Sequence, residues 1–332
     1  MIRWKGFRRL ASLMALMALF LAGCGDPTLS ALNPKGPMAK EQLDVIMISL
    51  GVMIFVIAIV LAIYIYVLVR FRKRPGDESI PKQVEGSHIL EIIWTVIPII
   101  LLVIIAVPTV MYTFKHSKDY RDDPDAIQVK VTGYQFWWQF QYPDLGINTA
   151  QDLVVPVGKK ISFELTSADV NHSFWVPSLG GKIDVNPGMT NVWHLQADEV
   201  GVYKGKCAEL CGASHALMDF KVRVVTEEEF EAWKAKMTAQ TTVPADAAKG
   251  EQVFKDSCLQ CHAITPNGPG LGPNLNGLAS REKIAGIMEH TDESLKKWIA
   301  NPEDVKPGTK MPAVPLEESE LNDLVEYLNT LK

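Results

Sequence analysis

The segment Cys207-Ala-Glu-Leu-Cys211-Gly-Ala-Ser-His215-Ala-Leu-Met218 places two thiols, an imidazole and a thioether in one short stretch of the chain. Soft sulfur ligands beside imidazole select copper, zinc or iron–sulfur clusters rather than magnesium or calcium. An upstream histidine with aromatic neighbours, His172, can complete the ligand set. The alternative is a structural zinc site built from Cys207, Cys211 and His215. The closing methionine is a weak axial ligand, and it favours a dinuclear copper electron-transfer site over zinc.

The candidate copper ligands fall within a region that has the pattern of short β-strands. From about Ala126 to Val225, polar and apolar residues alternate, and Gly and Pro separate the segments as turns. This pattern predicts one domain with an antiparallel β-sandwich or barrel, and it places the copper ligands on loops near the end of that domain. A short capped helix begins after Thr226, and residues 119–237 together form the predicted domain.

A second cofactor motif, Cys258-Leu-Gln-Cys261-His262, is the C-x-x-C-H pattern that attaches a c-type haem. Its histidine is the predicted proximal iron ligand. Met311, Met288 and His290 are candidates for the distal position. We select Met311 because it lies in an irregular Pro- and Gly-containing loop, whereas Met288 lies in an apparently helical stretch where core packing is the usual role. The predicted haem domain covers residues 247–332 and follows a linker at 238–246.

Two apolar runs, at residues 45–69 and 92–114, contain no charged side chain. Each is long enough to cross a bilayer. A buried core helix is the alternative, but a soluble core rarely needs two runs of this length. We therefore predict a transmembrane hairpin within residues 24–118, with helices at about 43–69 and 91–114. The basic cluster at residues 70–74 places the connecting loop in the cytoplasm, so both flanking segments emerge on the outer side.

The amino-terminal segment has the pattern of a secretory signal. Basic residues precede an apolar run that ends in Leu21-Ala-Gly-Cys24, which resembles a bacterial lipobox. Residues 1–23 are the predicted lipoprotein signal peptide, and Cys24 the predicted site of lipidation. An ordinary signal peptide and an uncleaved anchor are the alternatives.

The distribution of charge limits the choice of partners. Beyond residue 74 the chain carries 23 basic and 35 acidic residues. This acidic excess argues against nucleic acid as a partner and permits a cationic protein donor. Glu91 begins the second apolar helix on its cytoplasmic side. Ionisable groups at such positions often mark proton pathways, but a helix dipole also favours a solvated carboxylate there. The residues alone leave both interpretations open.

Together these motifs closely resemble subunit II of haem–copper cytochrome c oxidases, of the bacterial type with a C-terminal fused cytochrome c domain. The resemblance covers essentially the whole chain. It implies a multidomain protein with a two-helix transmembrane hairpin, an all-β cupredoxin-like domain and an all-α class I-like cytochrome c domain. It also implies that a dinuclear copper centre, CuA, is held by His172, Cys207, the backbone carbonyl of Glu209, Cys211, His215 and Met218.

The resemblance implies further roles. The Glu209 carboxylate would hold magnesium against subunit I, and Glu91 would lie at the start of a proton path. Haem c, held by Cys258, Cys261, His262 and Met311, would accept electrons from an external cytochrome c or a quinol–cytochrome c reductase. The expected partners are subunit I, subunit III, the donor and membrane lipid. The expected location is the bacterial inner membrane, with two spans, both cofactor domains outside and a lipid anchor.

Three other functions are alternatives to this one. A nitric oxide reductase with a CuA subunit would use the same electron-transfer cofactors to reduce nitric oxide instead of oxygen. A membrane-anchored electron carrier or copper-delivery module would need no two-helix hairpin, because one helix or lipidation suffices as an anchor. A quinol oxidase subunit is disfavoured, since those relatives lack the CuA ligands that are present here.

One stretch departs from the family pattern. Many relatives have Gln-Trp-Tyr-Trp where this chain has Gln135-Phe136-Trp137-Trp138, and their first Trp lies beside CuA and helps admit electrons. Phe136 at this position puts the usual surface entry route for electrons in doubt, and a tethered haem that approaches the copper centre differently would explain the departure. Trp137 and Trp138 are predicted to serve strand packing.

Overall fold

Two long helices, a β-sandwich and a small helical domain follow one another along the chain. The computed structural model describes residues 11–14, 16–17, 25–73, 75–76, 80, 83, 85–239 and 243–332. Cys24 and most of the predicted signal segment lie outside the described residues, as do linker positions 240–242. The arrangement confirms the predicted fold class.

The first two helices form the hairpin. Helix α1 spans Pro37–Arg70 and helix α2 spans His88–His116. At 1.5 Å per residue they are about 50 and about 43 Å long, which exceeds the roughly 30 Å hydrocarbon core of a bilayer. Both are long and apolar enough to cross a membrane, and their apolar windows are not buried in the protein. They extend beyond the predicted 43–69 and 91–114 because hydropathy locates only the lipid-facing part. The first turn of α1 buries Met38 and Ala39 against the β domain.

The β domain consists of two five-stranded sheets, ordered β3-β2-β1-β5-β8 and β4-β10-β9-β6-β7. The strands are β1 Ile127–Tyr134, β2 Trp137–Tyr142, β3 Ile147–Ala150, β4 Asp152–Pro156, β5 Lys160–Ser167, β6 His172–Trp175, β7 Lys182–Val185, β8 Asn191–Gln196, β9 Gly201–Cys207 and β10 Asp219–Val225. The expectation of purely antiparallel pairing is wrong for two pairs. Strands β1 and β5 run parallel, as do β4 and β10. These partners are distant in sequence, and alternation along one strand carries no information about the direction of its neighbour.

The core between the sheets is aromatic. Trp138, Phe140 and Phe174 are almost completely buried, and Phe174 stacks on Phe220 with ring centroids 4.7 Å apart. Burial of each such ring contributes about 1.5–3 kcal/mol. Met38 of α1 belongs to the same apolar cluster. The domain that carries the candidate copper ligands is therefore packed onto the outer end of the hairpin.

A capped helix leads out of the sandwich. Helix α3 spans Glu227–Thr238 and begins with a capping box between Thr226 and Glu229. The haem domain follows with α4 Ala248–Ser257, α5 Asp292–Ala300, α6 Pro302–Val305, α7 Glu318–Leu328 and a hairpin of β11 Lys283–Ile284 and β12 Met288–Glu289. Short 3₁₀ turns occur at Pro27–Leu29, Pro143–Leu145, His215–Leu217, Ala245–Ala247 and Leu278–Ser280.

The haem domain has its own core, in which α4 crosses α7. Phe254 and Tyr327 are fully buried there, with ring centroids 5.4 Å apart. The helical assignment of Met288 is wrong, because this residue lies in β12 and pairs with Ile284. The left-handed backbone at Ala285 and Gly286 turns the chain between the two strands, a local geometry that apolar spacing does not reveal.

Candidate metal and haem sites

The candidate copper loop connects two adjacent strands. Cys207 is the last residue of β9, and Met218 immediately precedes β10. The Cys207 N–H donates to the Met218 carbonyl at 3.1 Å, which closes the loop at its base. His172 begins β6, which pairs with β9 so that Phe174 lies opposite Cys207. Strand pairing therefore brings a histidine 35 positions away to the same end of the sheet as the loop.

The side chains converge around the two sulfur atoms. The two cysteine Sγ atoms lie 3.8 Å apart. His172 Nδ1 lies 3.8 Å from Cys207 Sγ, and His215 Nδ1 lies 3.6 Å from Cys211 Sγ. Met218 Sδ lies 3.7 Å from Cys211 Sγ. His172 and Met218 are fully buried, and both cysteines are nearly so. The five side chains that were predicted as ligands thus form one group of sulfur and imidazole donors, of which only His215 is partly exposed.

A carboxylate outside this group orients His172. The Nε2–H of His172 donates to Asp169 Oδ1 at 2.9 Å, which directs Nδ1 towards the cysteine sulfur. Such partners fix the tautomer of a metal-binding histidine and raise its basicity. The ring also lies against Gly133 of β1, where a Cβ atom would lie only 2.9 Å from His172 Cδ2. Asp169 and Gly133 were not identified from the sequence, because neither carries a signal at ligand spacing.

The electrostatics of the group favour ionisation of one of the two thiols. Sharing of a proton with Cys211 lowers the pKa of Cys207 and raises that of Cys211. Burial opposes ionisation of Asp169, but hydrogen bonds from the Gln135 N–H, His172 and Lys310 outweigh it and lower its pKa to about 2. Metal binding requires deprotonated thiols, and a site that already favours one thiolate reduces the cost of that step.

The donor set fits a dinuclear copper centre better than structural zinc. Zinc sites of this kind use four Cys or His ligands and leave no place for a thioether. Here the fully buried Met218 sulfur lies among the candidate ligands, and the Glu209 carbonyl oxygen lies 3.2 Å from Cys207 Sγ. A weak axial sulfur and a backbone oxygen are typical of copper electron-transfer sites.

The Glu209 side chain is exposed. Among the residues that the structure describes, the one group of three or more His, Cys, Asp or Glu side chains close enough to share an ion is His172, Cys207 and Cys211. A magnesium ion on the Glu209 carboxylate would therefore need further ligands from another chain.

The haem-attachment motif follows α4. Cys258 and Cys261 are half-buried, and the Nδ1–H of His262 donates to the Pro273 carbonyl at 2.8 Å. That bond leaves Nε2 free to bind iron. Burial lowers the pKa of His262, partly opposed by the hydrogen bond to Pro273, so the ring is held in its neutral, metal-binding form. The residues present therefore fit a covalent haem c.

The three candidates for the distal ligand occupy different environments. Met311 is half-buried in the irregular segment between α6 and α7. Met288 packs against the core of the haem domain. The Nδ1 atom of His290 is hydrogen bonded to the Arg281 carbonyl at 2.7 Å. The other two side chains already have structural partners, and Met311 stays the predicted distal ligand.

Glu91 lies in the first turn of α2, where its carboxylate is half-exposed and lies 3.5 Å from His88 Nδ1. The pairing with a histidine adds a second titratable group to this end of the helix. Its role in proton uptake stays a prediction.

Comparisons with known proteins agree with this organisation. Three family profiles match successive parts of the chain: cytochrome c oxidase subunit II, transmembrane domain, at residues 33–111; cytochrome c oxidase subunit II, periplasmic domain, at 146–225; and cytochrome c at 247–332. The profiles place a membrane segment, an outer domain and a cytochrome domain in the order that the structure has them.

Two of the relatives match over nearly the full length of both chains. The chain is 49% identical to cytochrome c oxidase subunit 2 of Alkalihalophilus pseudofirmus, over 99% of this chain and 98% of that protein. It is 51% identical to the subunit 2 of Bacillus sp. strain PS3, over 98% and 97%. Quinol oxidase subunit 2 of Bacillus subtilis is 37% identical over 69% of this chain and 74% of that protein. The chain therefore belongs to the cytochrome c oxidase subunit II family, in the form that carries a C-terminal cytochrome c domain.

Proposed function

We propose that this chain is the electron-input subunit of a membrane terminal oxidase. It accepts electrons from an external donor through covalent haem c and passes them through dinuclear CuA to the haem–copper, oxygen-reducing site of subunit I, coupled to proton translocation. The observation that carries the proposal is the convergence of two thiols, two imidazoles and a thioether at one end of a rigid sandwich, with a C-x-x-C-H motif in the next domain.

The scaffold suits electron transfer. A copper centre held here would supply the change of charge, and the protein contributes by holding the ligands still while that charge changes. The backbone hydrogen bond from Cys207 to Met218 closes the base of the loop. The Gln135 side-chain amide also donates a hydrogen bond to the Cys211 carbonyl at 2.6 Å. Asp169 holds the imidazole of His172. These contacts restrict movement of the ligands around both sulfur atoms.

Partners and location follow from the same proposal. Subunit I would cover the exposed Glu209 carboxylate and supply the remaining ligands of a magnesium ion between the chains. Glu91 would begin the path by which protons reach the oxygen-reducing site. Subunit III would complete the complex, a lipid on Cys24 would add an anchor, and the two cofactor domains would face the outside of the bacterial inner membrane.

The first experiment is gentle extraction of the tagged chain, followed by analysis of the haem types and gas consumption of what co-purifies. A partner with a-type haem and cytochrome c-dependent oxygen uptake supports the oxidase. A b-haem partner that consumes nitric oxide would replace it with the reductase. Recovery of the chain alone, in a detergent that preserves known complexes, would favour the electron carrier.

Two variants make the assignment of the copper ligands testable in the same preparation. Cys211→Ser should abolish the copper absorption and electron paramagnetic resonance signals while haem c and the partner are retained. Ala216→Ser, at an exposed position of the same loop, is the matched control and should keep both signals. Copper signals that survive Cys211→Ser would contradict the ligand set.

A further inference from the structure

Two segments of the haem domain, each close in sequence to a predicted iron ligand, are hydrogen bonded to the β domain. The first follows the attachment motif. The Asn148 N–H of β3 donates to the Pro266 carbonyl at 2.7 Å, and the Asn148 side-chain amide donates to the Gly268 carbonyl at 3.1 Å. Asn148 is almost completely buried. The loop that begins four residues after His262 is therefore held by the edge of a sheet.

The second segment, Lys306–Lys310, immediately precedes Met311 and lies on the copper loop. The Ser214 hydroxyl donates to the Pro307 carbonyl at 2.8 Å, and Ser214 is the neighbour of His215. Lys310 Nζ lies 2.9 Å from Asp169 Oδ2, the carboxylate that also holds His172. One side of this segment is thus bonded to residues that adjoin or orient two candidate copper ligands.

Phe136, the position that departs from the family pattern, lies beneath the same segment. It is buried, and its ring packs against the backbone of Gly308: a Cβ at Gly308 would lie 3.5 Å from Phe136 Cε2 and 3.6 Å from Ala213 Cβ. The Phe136 carbonyl accepts a hydrogen bond of 2.8 Å from Lys306 Nζ. The residue that replaces the usual tryptophan is therefore part of the contact between the two domains.

Lys306 is the unusual member of this contact, because its side chain is 3% exposed. A buried ammonium group is costly unless it is hydrogen bonded. Its hydrogen-bond acceptor is the Phe136 carbonyl, and the carboxylate of Asp219 on β10 attracts the ammonium group. Burial lowers the pKa of Lys306 to about 8, against the attraction of Asp219. Phe136 and Asp219 both belong to the β domain, so the stabilising surroundings of this charge exist only while the domains are docked.

We infer that Lys306–Lys310 is an intramolecular clamp that seats the haem-ligand loop on the copper loop, with Lys306 and Lys310 as its positioning residues. The inference rests on the proposed function, since it assigns the route between the two cofactor sites of one chain. Met311 follows the clamp directly, so fixing the clamp fixes the distance from the iron-ligand segment to the copper ligands. Small changes in such a distance alter reaction rates strongly.

The test uses the full-length chain with haem and copper bound. Lys306→Glu places a carboxylate against the Phe136 carbonyl and Asp219, and Lys297→Glu, at an exposed position of α5, makes the same change in net charge away from the interface. Hydrogen exchange of the peptide that covers residues 303–311 should become at least about tenfold faster in Lys306→Glu and stay unchanged in Lys297→Glu. The Lys310 side chain is largely exposed, so Lys310→Glu should leave the fold intact. It should raise the exchange rate of the same peptide by a smaller factor, about twofold to tenfold.

The functional readout is the rate of electron transfer from haem c to copper after flash reduction. It should fall in Lys306→Glu and in Lys310→Glu, with both reduction potentials and the copper spectrum close to those of the unaltered chain. Unchanged exchange in both variants would overturn the clamp, and faster exchange at an unchanged rate would overturn its role in electron transfer. Absence of haem-to-copper transfer in the unaltered chain would instead contradict the proposed function, while the exchange data would still decide whether the clamp exists.

Discussion

Gly250→Ala should destabilise the haem domain through the crossing of its first and last helices. Gly250 of α4 is buried where α4 meets α7, and a Cβ there would lie 1.9 Å from the Asp323 carbonyl oxygen and 2.7 Å from Tyr327 Cβ. Ordinary contacts are about 3.5 Å, so the helices would have to separate by more than about 1.5 Å. Because the obstacle is backbone, the cost should lie near the upper end of overpacking, about 3 kcal/mol. Alanine recovers about 1 kcal/mol of helix propensity, which leaves a net loss of about 2 kcal/mol.

The assay is thermal unfolding of the haem-loaded full chain, followed by haem absorbance. For a domain of this size, 1 kcal/mol corresponds to about 4–8 °C, so the midpoint of the haem-domain transition should fall by about 8–16 °C. The matched control is Lys249→Ala, at the exposed neighbouring position of α4, which should change stability by less than about 0.5 kcal/mol. An unchanged or higher midpoint for Gly250→Ala would refute the tight crossing, because the gain in helix propensity would then not be outweighed by a clash between the helices.

Two further predictions concern the same half of the molecule. Met311→Ala should leave the haem attached but lower its reduction potential, whereas Met288→Ala should leave that potential unchanged. Spectroelectrochemical titration of the purified chain measures both potentials. An unchanged potential in Met311→Ala would show that Met311 is not the distal ligand. Lys306 has a pKa lowered by burial to about 8 in the folded chain and an ordinary value of 10.5, so the folded state binds fewer protons than the unfolded state between these pH values. The thermal midpoint of the haem domain should therefore gain a stabilising contribution from Lys306 as pH rises from about 8 to about 10.5, and none below pH 8. Lys306→Met should lack this contribution, and equal pH profiles for the two proteins would contradict the burial of the charge.

The candidate copper site could be predicted because most of its donors are local in sequence. Cys207 and Met218 bracket one loop between adjacent strands, so their spacing already determines that they meet. His172 could be added because its residue type is a ligand type, and strand pairing then brings it to the loop. Asp169 could not be identified, since a single acidic residue among many becomes meaningful only when its distance to the imidazole is known.

Local patterns also explain the errors. Hydropathy detects contact with lipid, so it missed the first turn of α1, where Met38 is buried against protein instead. The expectation that Met288 lies in a helix is wrong, because the two-residue strand in which it lies is too short to show an alternating pattern of its own. The parallel pairing of β1 with β5 depends on which strands become neighbours, a property of the whole sandwich.

The contact between the two cofactor domains also could not be predicted from local patterns, and it gives Phe136 a structural role. In the sequence, phenylalanine at this position is only a departure from a family pattern. In the structure its ring meets Gly308 and its carbonyl meets Lys306, both from the segment that leads to Met311. A surface used to receive a separate donor must stay accessible, whereas a surface that holds a tethered domain can be buried. Burial of Phe136 is consistent with the second arrangement. The docked domains also explain why Lys306 can lose its hydration, because they provide the partners that offset the cost of burying its charge.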